Sequence, residues 1–227
     1  MDKPAAAPTP FRNAKEREQE RAAKRDAVLR AAVRMFNQRG FHTTSLDDVA
    51  ASLRISKPLI YHYLGAKDQV LFECLRLGLA RLREAAEEAA GLPGTGLDRL
   101  RMFLCRYGEV IMDDFGRCVI RTGDEVLAPE SRKQFRVLKR EIDQALRGFM
   151  QEAADDGSAN VTDVKLTSFA FVGALSWSAR WQEPEGELPP GDIARRLVDI
   201  LVRGIEPRGK VVLPQPEGAM KEIKSTR

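Results

Sequence analysis

Apolar positions recur at helical spacing along most of this chain. Val28, Leu29, Ala32, Val33 and Phe36 share one face, which predicts a helix from about Ala14 to Gln38, ended by Gly40. The first half of that segment is too polar to bury and reads as a basic arm or a frayed end. Leu46, Val49, Ala50 and Leu53 mark a second, short helix, and a third follows Ser56. A long helix runs from Lys67 to Ala90 through Val70, Leu71, Cys74, Leu75, Leu79 and Leu82, and the stretch Gly91-Leu92-Pro93-Gly94-Thr95-Gly96 breaks the pattern. Further helices are predicted over Leu97–Asp113, Glu130–Ala154, Thr162–Arg180 and Ile193–Ile205. Gly116, Gly123 and Pro129 make residues 114–129 read as short elements and loops. No alternating strand pattern or internal repeat stands out, so the expected class is all-α.

The two short helices carry the strongest local signal. Ser45 with Asp48 three residues on is a capping-box variant. Ser56 can cap the next helix, and Pro58 fits only a first turn, where amides have no intrahelical partner. Two helices of about two turns with a three-residue link are the geometry of a helix-turn-helix, whose second helix enters the DNA major groove.

The surrounding residues extend that motif. Val28 to Phe36, Arg39-Gly40-Phe41 and Thr44 precede it; Tyr61-His62-Tyr63-Leu64, Lys67 and Val70-Leu71 follow. This order resembles the DNA-binding domain of the TetR family of bacterial transcriptional regulators, over roughly Asp26 to Leu71. Two positions depart from the family pattern: Arg54 stands where the turn Gly usually is, and Leu64 where Phe or Trp is usual. An Arg at positive φ costs roughly 1 kcal/mol, so a slightly different turn is expected.

The expected organisation is a Pro- and Ala-rich tail over 1–13, a helix-turn-helix domain over 14–66, a helical ligand-binding and dimerisation domain over 67–206, and a polar tail over 207–227. Charge follows this division. The net charge is +4, but residues 1–70 hold 13 Lys and Arg against 8 Asp and Glu, whereas the remainder holds 24 against 25. The basic excess lies where a phosphate-binding module needs it. Solvated helix faces alone also produce such charge, and without the motif that reading is the stronger one.

Cys74, Cys105 and Cys118 lack C-x-x-C spacing, and an odd count suits a reducing compartment. With no secretory signal and no apolar run near ~20 residues, a cytoplasmic protein with no membrane partner is expected. The only histidines are His42 and His62, and no metal cluster, phosphate loop or nucleophile elbow is present. Neither an enzyme nor a cofactor or metal is expected.

Residue chemistry then assigns roles. Lys57 is placed for a phosphate or a guanine edge, Pro58 and Leu59 for a thymine methyl, and Tyr61 and His62 for base or backbone contacts. Thr43 and Thr44 are expected on phosphate oxygens, and the resemblance implies the same for Lys67. Arg17, Arg21, Lys24 and Arg25 lie near one side of the arm and are expected to contribute by charge.

A second string, Gly173-Ala174-Leu175-Ser176-Trp177-Ser178-Ala179-Arg180-Trp181 followed by a Pro/Gly-rich loop, resembles a TetR subgroup associated with acyl-CoA thioesters. That resemblance implies an acyl-CoA effector, with Phe103, Tyr107, Ile111, Phe149, Trp177, Arg180 and Trp181 as candidate ligand contacts. The two tryptophans fit core or interface packing equally well. Ala170, Gly173, Ala174, Leu197 and Leu201 are expected to pair two copies as a four-helix bundle. The resulting expectation is a homodimeric repressor on a near-palindromic double-stranded operator, released by a small molecule. Two alternatives stay open: a drug-efflux regulator with a hydrophobic cationic ligand, and a small-molecule-binding protein without operator binding.

Overall fold

The computed structural model describes residues 14–207, and they form helices with no strand among them. The elements are α1 (Ala14–Arg39), α2 (Leu46–Leu53), α3 (Lys57–Leu64), α4 (Lys67–Ala90), α5 (Gly96–Met112), α6 (Asp114–Arg121), a 3₁₀ turn (Asp124–Val126), α7 (Pro129–Asp155), α8 (Val164–Trp181) and α9 (Pro190–Arg203). The tail expected over 1–13, and all but the first residue of the one expected over 207–227, lie outside the described residues.

Local chemistry places most ends. Ser45 Oγ accepts from the Asp48 amide at 3.1 Å while the Asp48 carboxylate accepts from the Ser45 amide at 3.0 Å, which starts α2. These hydrogen bonds hold the Asp48 carboxyl below its ordinary range. Thr95 and Asp98 start α5 in the same way. Ser56 stands at the N-cap of α3, but its side chain makes no capping hydrogen bond, so Pro58 is the stronger stop-start signal there. Pro190 opens α9 three residues earlier than periodicity alone predicts, because its fixed φ suits a first turn.

The stretch 114–129 differs from expectation. Asp113 accepts from the Gly116 amide at 2.8 Å and caps a true helix, α6. Gly116 does not break it: a Cβ there would sit 1.9 Å from the Val110 carbonyl oxygen, so the residue permits close packing on α5. Gly78 of α4 plays the same part against the Phe115 carbonyl.

Arg54 occupies the left-handed region, with φ 54° and ψ 41°. Its amide donates to the Ala51 carbonyl and the Ile55 amide to the Ala50 carbonyl, a Schellman end to α2 with Arg where Gly is favoured. Left-handed strain of about 1–2 kcal/mol exceeds the extra freedom Gly gains in the unfolded chain. Arg54→Gly is therefore expected to stabilise the fold by up to about 1 kcal/mol, or about 2–4 °C in Tm by calorimetry. An unchanged or lower Tm would show that the Arg54 side chain offsets its own strain.

One continuous set of buried residues runs from Val28 in α1 to Ile205 after α9. α4 and α6 carry it from the helix-turn-helix to the remaining helices, and polar ties reinforce this junction. Arg34 pairs with Asp114 at 2.9 Å, and Asn37 donates to the Asp114 carbonyl at 2.7 Å. Arg121 donates to the carbonyls of Asn37, Ala179 and Arg180, joining the end of α1 to the end of α8. Arg117 is buried and donates to the Met112 and Gln182 carbonyls, both at 2.9 Å. Burial pushes its guanidinium below its ordinary value. The sequence pattern does not single out these residues, although the Arg117/Arg121 spacing of one turn is a readable signal once α6 is a helix.

A candidate nucleic-acid interface and an uncovered apolar face

α3 divides cleanly between core and solvent. Ile60 and Leu64 are buried in one cluster with the α1 and α2 residues Leu29, Val33 and Val49, whereas Lys57, Pro58, Tyr61 and His62 face outward and Leu59 is half-buried between them. Tyr61 is 46% exposed. Lys57 Nζ lies 2.8 Å from the Asp47 carboxylate of α2, and that contact raises the Lys57 pKa. The pair is exposed, so Lys57 keeps its charge and exchanges Asp47 for another anion at little cost.

The loop before α2 adds a second cluster. The Lys67 ammonium sits 4.3 Å from the centre of the Phe41 ring and 3.5 Å from the His42 carbonyl oxygen. Exposed Thr43 is the next residue, and its hydroxyl donates to the Arg39 carbonyl. Thr44 is a correction. It is only 1% exposed and its hydroxyl donates to the Gly40 carbonyl at 2.8 Å, so it closes the turn instead of reaching outward.

The arm is also revised. Arg25 reaches back across the fold to Glu73 of α4 at 2.5 Å, and Arg76 meets the same carboxylate at 3.0 Å. Burial pushes the Glu73 carboxyl up, but these hydrogen bonds outweigh it and hold it below its usual range. Arg25 is thus a bracket between α1 and α4. Lys24 pairs with Glu20 at 2.7 Å. Arg17 and Arg21 remain exposed on α1. Replacing both with Gln should lower the slope of log affinity against log salt by about 0.9 for each phosphate no longer neutralised. A titration between low and moderate salt with the parent's slope would remove the arm from the interface.

The residues expected around a ligand do not converge. Phe103, Tyr107, Ile111 and Phe149 lie in the closed core, none more than 5% exposed. The Phe103 ring packs on those of Phe149 and Tyr107, with centroids 5.5 and 6.1 Å away, and Tyr107 hydrogen-bonds Ser176 at 3.0 Å. Their helical spacing serves packing, so the expectation that they line an open pocket is corrected. Trp177 and Trp181 do share a face of α8, with the Arg180 guanidinium 6.0 Å from the Trp177 ring. That face points to solvent: Trp177 is 63% exposed and Trp181 50%.

They belong to a larger apolar surface. Leu166, Phe169, Ala170, Gly173, Ala174 and Trp177 form an exposed stripe on α8, joined by Ile200 and the half-buried Leu197 and Leu201 of α9. Gly173 has no atom within 4 Å of the position a Cβ would take. Elsewhere, α4 and α7 border a groove of about 400 Å³ with apolar and cationic walls. A second cleft of about 440 Å³ lies between the end of α1 and the end of α6, reaching Arg180. No group of His, Cys, Asp and Glu among the described residues is arranged to hold a metal, and none of their helices is long and apolar enough to cross a membrane.

Comparison with known proteins agrees with this architecture. Residues 28–74 match the model of the bacterial regulatory proteins of the tetR family, and residues 93–205 match the tetracyclin repressor-like C-terminal domain. The HTH-type transcriptional repressor KstR2 of Mycolicibacterium smegmatis is 28% identical over 189 residues, covering 81% of this chain and 91% of its own. Among solved structures, the TetR family regulator PfmR of Thermus thermophilus is 28% identical with a TM-score of 0.72, covering 79% of this chain and 99% of its own. AibR, solved in complex with isovaleryl coenzyme A and operator DNA, shares the fold with a TM-score of 0.70 at 23% identity, over 79% of this chain and 98% of its own. The motif around α2 and α3, the all-helical body and both family matches place this chain in the TetR family of bacterial transcriptional regulators.

Proposed function

We propose that this chain is a homodimeric repressor that leaves its operator on binding an amphipathic acyl thioester, of the kind found in lipid or aromatic-acid catabolism. The observation that carries the DNA-binding part is α3, whose outward face holds Lys57, Pro58, Tyr61 and His62 on a buried frame of Ile60 and Leu64. In this reading α1–α3 is the reading head, Leu59 adds apolar contact, and Thr43 and Lys67 meet phosphate at its edge. The head holds only two short helices besides α1, too little for tight binding alone. Two copies joined through α8 and α9 would read a near-palindromic site whose spacing mirrors the dimer. The uncovered stripe on those helices supports the pairing, since contiguous exposed apolar surface marks an interaction site.

The repressor sense follows relatives that carry that name. The effector class is supported by a protein of this fold that holds isovaleryl coenzyme A together with operator DNA. Burying about eight methylenes contributes roughly 6 kcal/mol before ordering costs, so chain length should matter strongly. The test is an operator-release assay on DNA upstream of the chain's own gene, with CoA thioesters of graded length, the free acids, CoA alone and hydrophobic cations. Thioesters should release DNA at concentrations at least about tenfold below the free acids, a difference of about 1.4 kcal/mol. Equal release by acids and cations would leave only the repressor reading standing.

A further inference from the structure

Two segments of this chain carry charge of a single sign. Residues 131–140 hold five cations and no carboxylate: Arg132, Lys133, Arg136, Lys139 and Arg140. Residues 181–194 hold four carboxylates and no cation: Glu183, Glu185, Glu187 and Asp192. The first segment lies in the first half of α7, and the second is mostly the loop between α8 and α9. Only part of this charge is matched within the chain. Arg136 pairs with Asp124 at 2.6 Å, Arg132 donates to the carbonyls of Asp124, Glu125 and Leu127, and Asp192 pairs with Arg195. Lys133, Arg140, Glu183, Glu185 and Glu187 are exposed, and none of them forms an ion pair among the described residues.

Both segments border the apolar stripe of α8. Lys133, Arg136, Arg140 and Arg147 recur at helical spacing along one face of α7, and the Arg147 guanidinium lies 5.5 Å from the centre of the Phe169 ring in the stripe. The acidic segment starts at Trp181, one turn beyond Trp177. Both segments also lie towards the reading head. Arg121 ties the last turn of α8 to the end of α1. Glu125 and Val126, just before α7, border the same cleft as Phe41, His42 and Arg180. Two heads that read one face of a duplex are related by a twofold axis running from head to body. Rotation about that axis leaves each residue at its own height. Pairing through the stripe therefore brings the α8–α9 loop of one copy towards the first turns of its partner's α7.

We propose that the α8–α9 loop of one copy clasps the basic first half of α7 on a second copy, so that charge as well as apolar surface selects the partner. This rests on the homodimer reading above. In the clasp Glu183, Glu185 and Glu187 meet Lys133 and Arg140, and the exposed Leu188 and Val137 supply apolar contact. The twofold axis repeats the contact, so each dimer holds two. An apolar stripe accepts many partners; opposite charges beside it disfavour any chain that lacks the complement.

The experiment uses the full chain and two charge-reversed variants, Glu185→Lys with Glu187→Lys, and Lys133→Glu with Arg140→Glu. All four positions are exposed, and thermal unfolding checks that each variant is folded as the parent is. Sedimentation equilibrium gives the dimer Kd at about 50 and about 500 mM salt, between which the Debye length falls to about 4 Å. At low salt each variant should dimerise at least about tenfold more weakly than the parent, because like charges then face each other twice per dimer. At high salt the gap should narrow to within about threefold. A one-to-one mixture of the two variants, one of them fluorescently labelled, should regain the parent's affinity. In that mixed dimer the reversed loop meets the reversed helix, and the unaltered loop meets the unaltered helix. If both variants dimerise as the parent does, the clasp is overturned while pairing through the stripe stands. If they weaken but the mixture does not recover, the two segments do not meet and the clasp is overturned. If the helix variant keeps its dimer but loses operator affinity, this face of α7 meets DNA instead, and the clasp is again overturned. A parent that is monomeric at micromolar concentration removes the homodimer reading and the clasp with it.

Discussion

Gly173→Glu is expected to convert a dimer into a monomer and to weaken operator binding by roughly 100-fold or more. The substitution tests the pairing face without disturbing the single chain. Gly173 is exposed, and a Cβ added there meets nothing within 4 Å. Across a dimer the same position would place a carboxylate among Leu166, Phe169, Trp177 and Ile200, which are exposed in the single chain. Burying an unpaired charge costs several kcal/mol even after relaxation. Loss of the second reading head removes the effective-concentration gain of linked sites, about 10²–10⁴-fold. Leu201→Glu should have the same result, but Leu201 also packs half-buried against the core, so its effect mixes assembly with folding. Sedimentation and a gel shift on one preparation make the measurement. A parent that is monomeric at micromolar concentration yet binds a full operator would contradict the pairing, as would a variant that stays dimeric.

Lys57→Ala and Tyr61→Ala should each weaken operator binding by about 1–3 kcal/mol, or roughly 5- to 150-fold. Both side chains are exposed on α3 and neither supports the core, which there depends on Ile60 and Leu64. The loss should therefore appear with helicity and sedimentation unchanged. Lys57 is held near Asp47 before DNA arrives, which restricts its search for a phosphate or guanine. Because exposed pairs of this kind are worth at most about 1 kcal/mol, little of the binding energy is spent on breaking it. Operator affinity equal to the parent's in both variants would take the two residues out of the interface.

The helix-turn-helix is legible in the sequence because its information is local. Ser45 and Asp48 sit three residues apart and satisfy each other's backbone partners, so the start of α2 needs no distant residue. The turn after α2 is less legible: strain at Arg54 predicts a slightly different turn, yet Arg54 takes the positive φ at which Gly is favoured. Locality fails where a side chain has two possible uses. Thr44 and Thr43 are neighbours of one type, yet one closes the turn from inside and the other is exposed. Arg25 looks like its neighbours on the arm until α4 brings Glu73 within 2.5 Å of it. α6 reads as loop because Gly116 signals a break in isolation; its contact with Val110 gives the same residue a packing role.

The sequence by itself determined the helical class, most helix positions, the reading head and the concentration of positive charge near it. These follow from period, capping chemistry and residue type, which act over one or two turns. Only the tertiary structure decided which apolar faces are closed and which are open. Phe103, Tyr107 and Phe149 look no different in spacing from Phe169 and Trp177, yet the first three bury one another and the last two face solvent. Helical period states that a face is apolar; it carries no information about which surface covers that face. That depends on the packing of α4, α5 and α7 against one another, which closes the core around Phe103. The same packing opens the groove at Arg76 and leaves α8 with an apolar stripe that no part of the described chain covers.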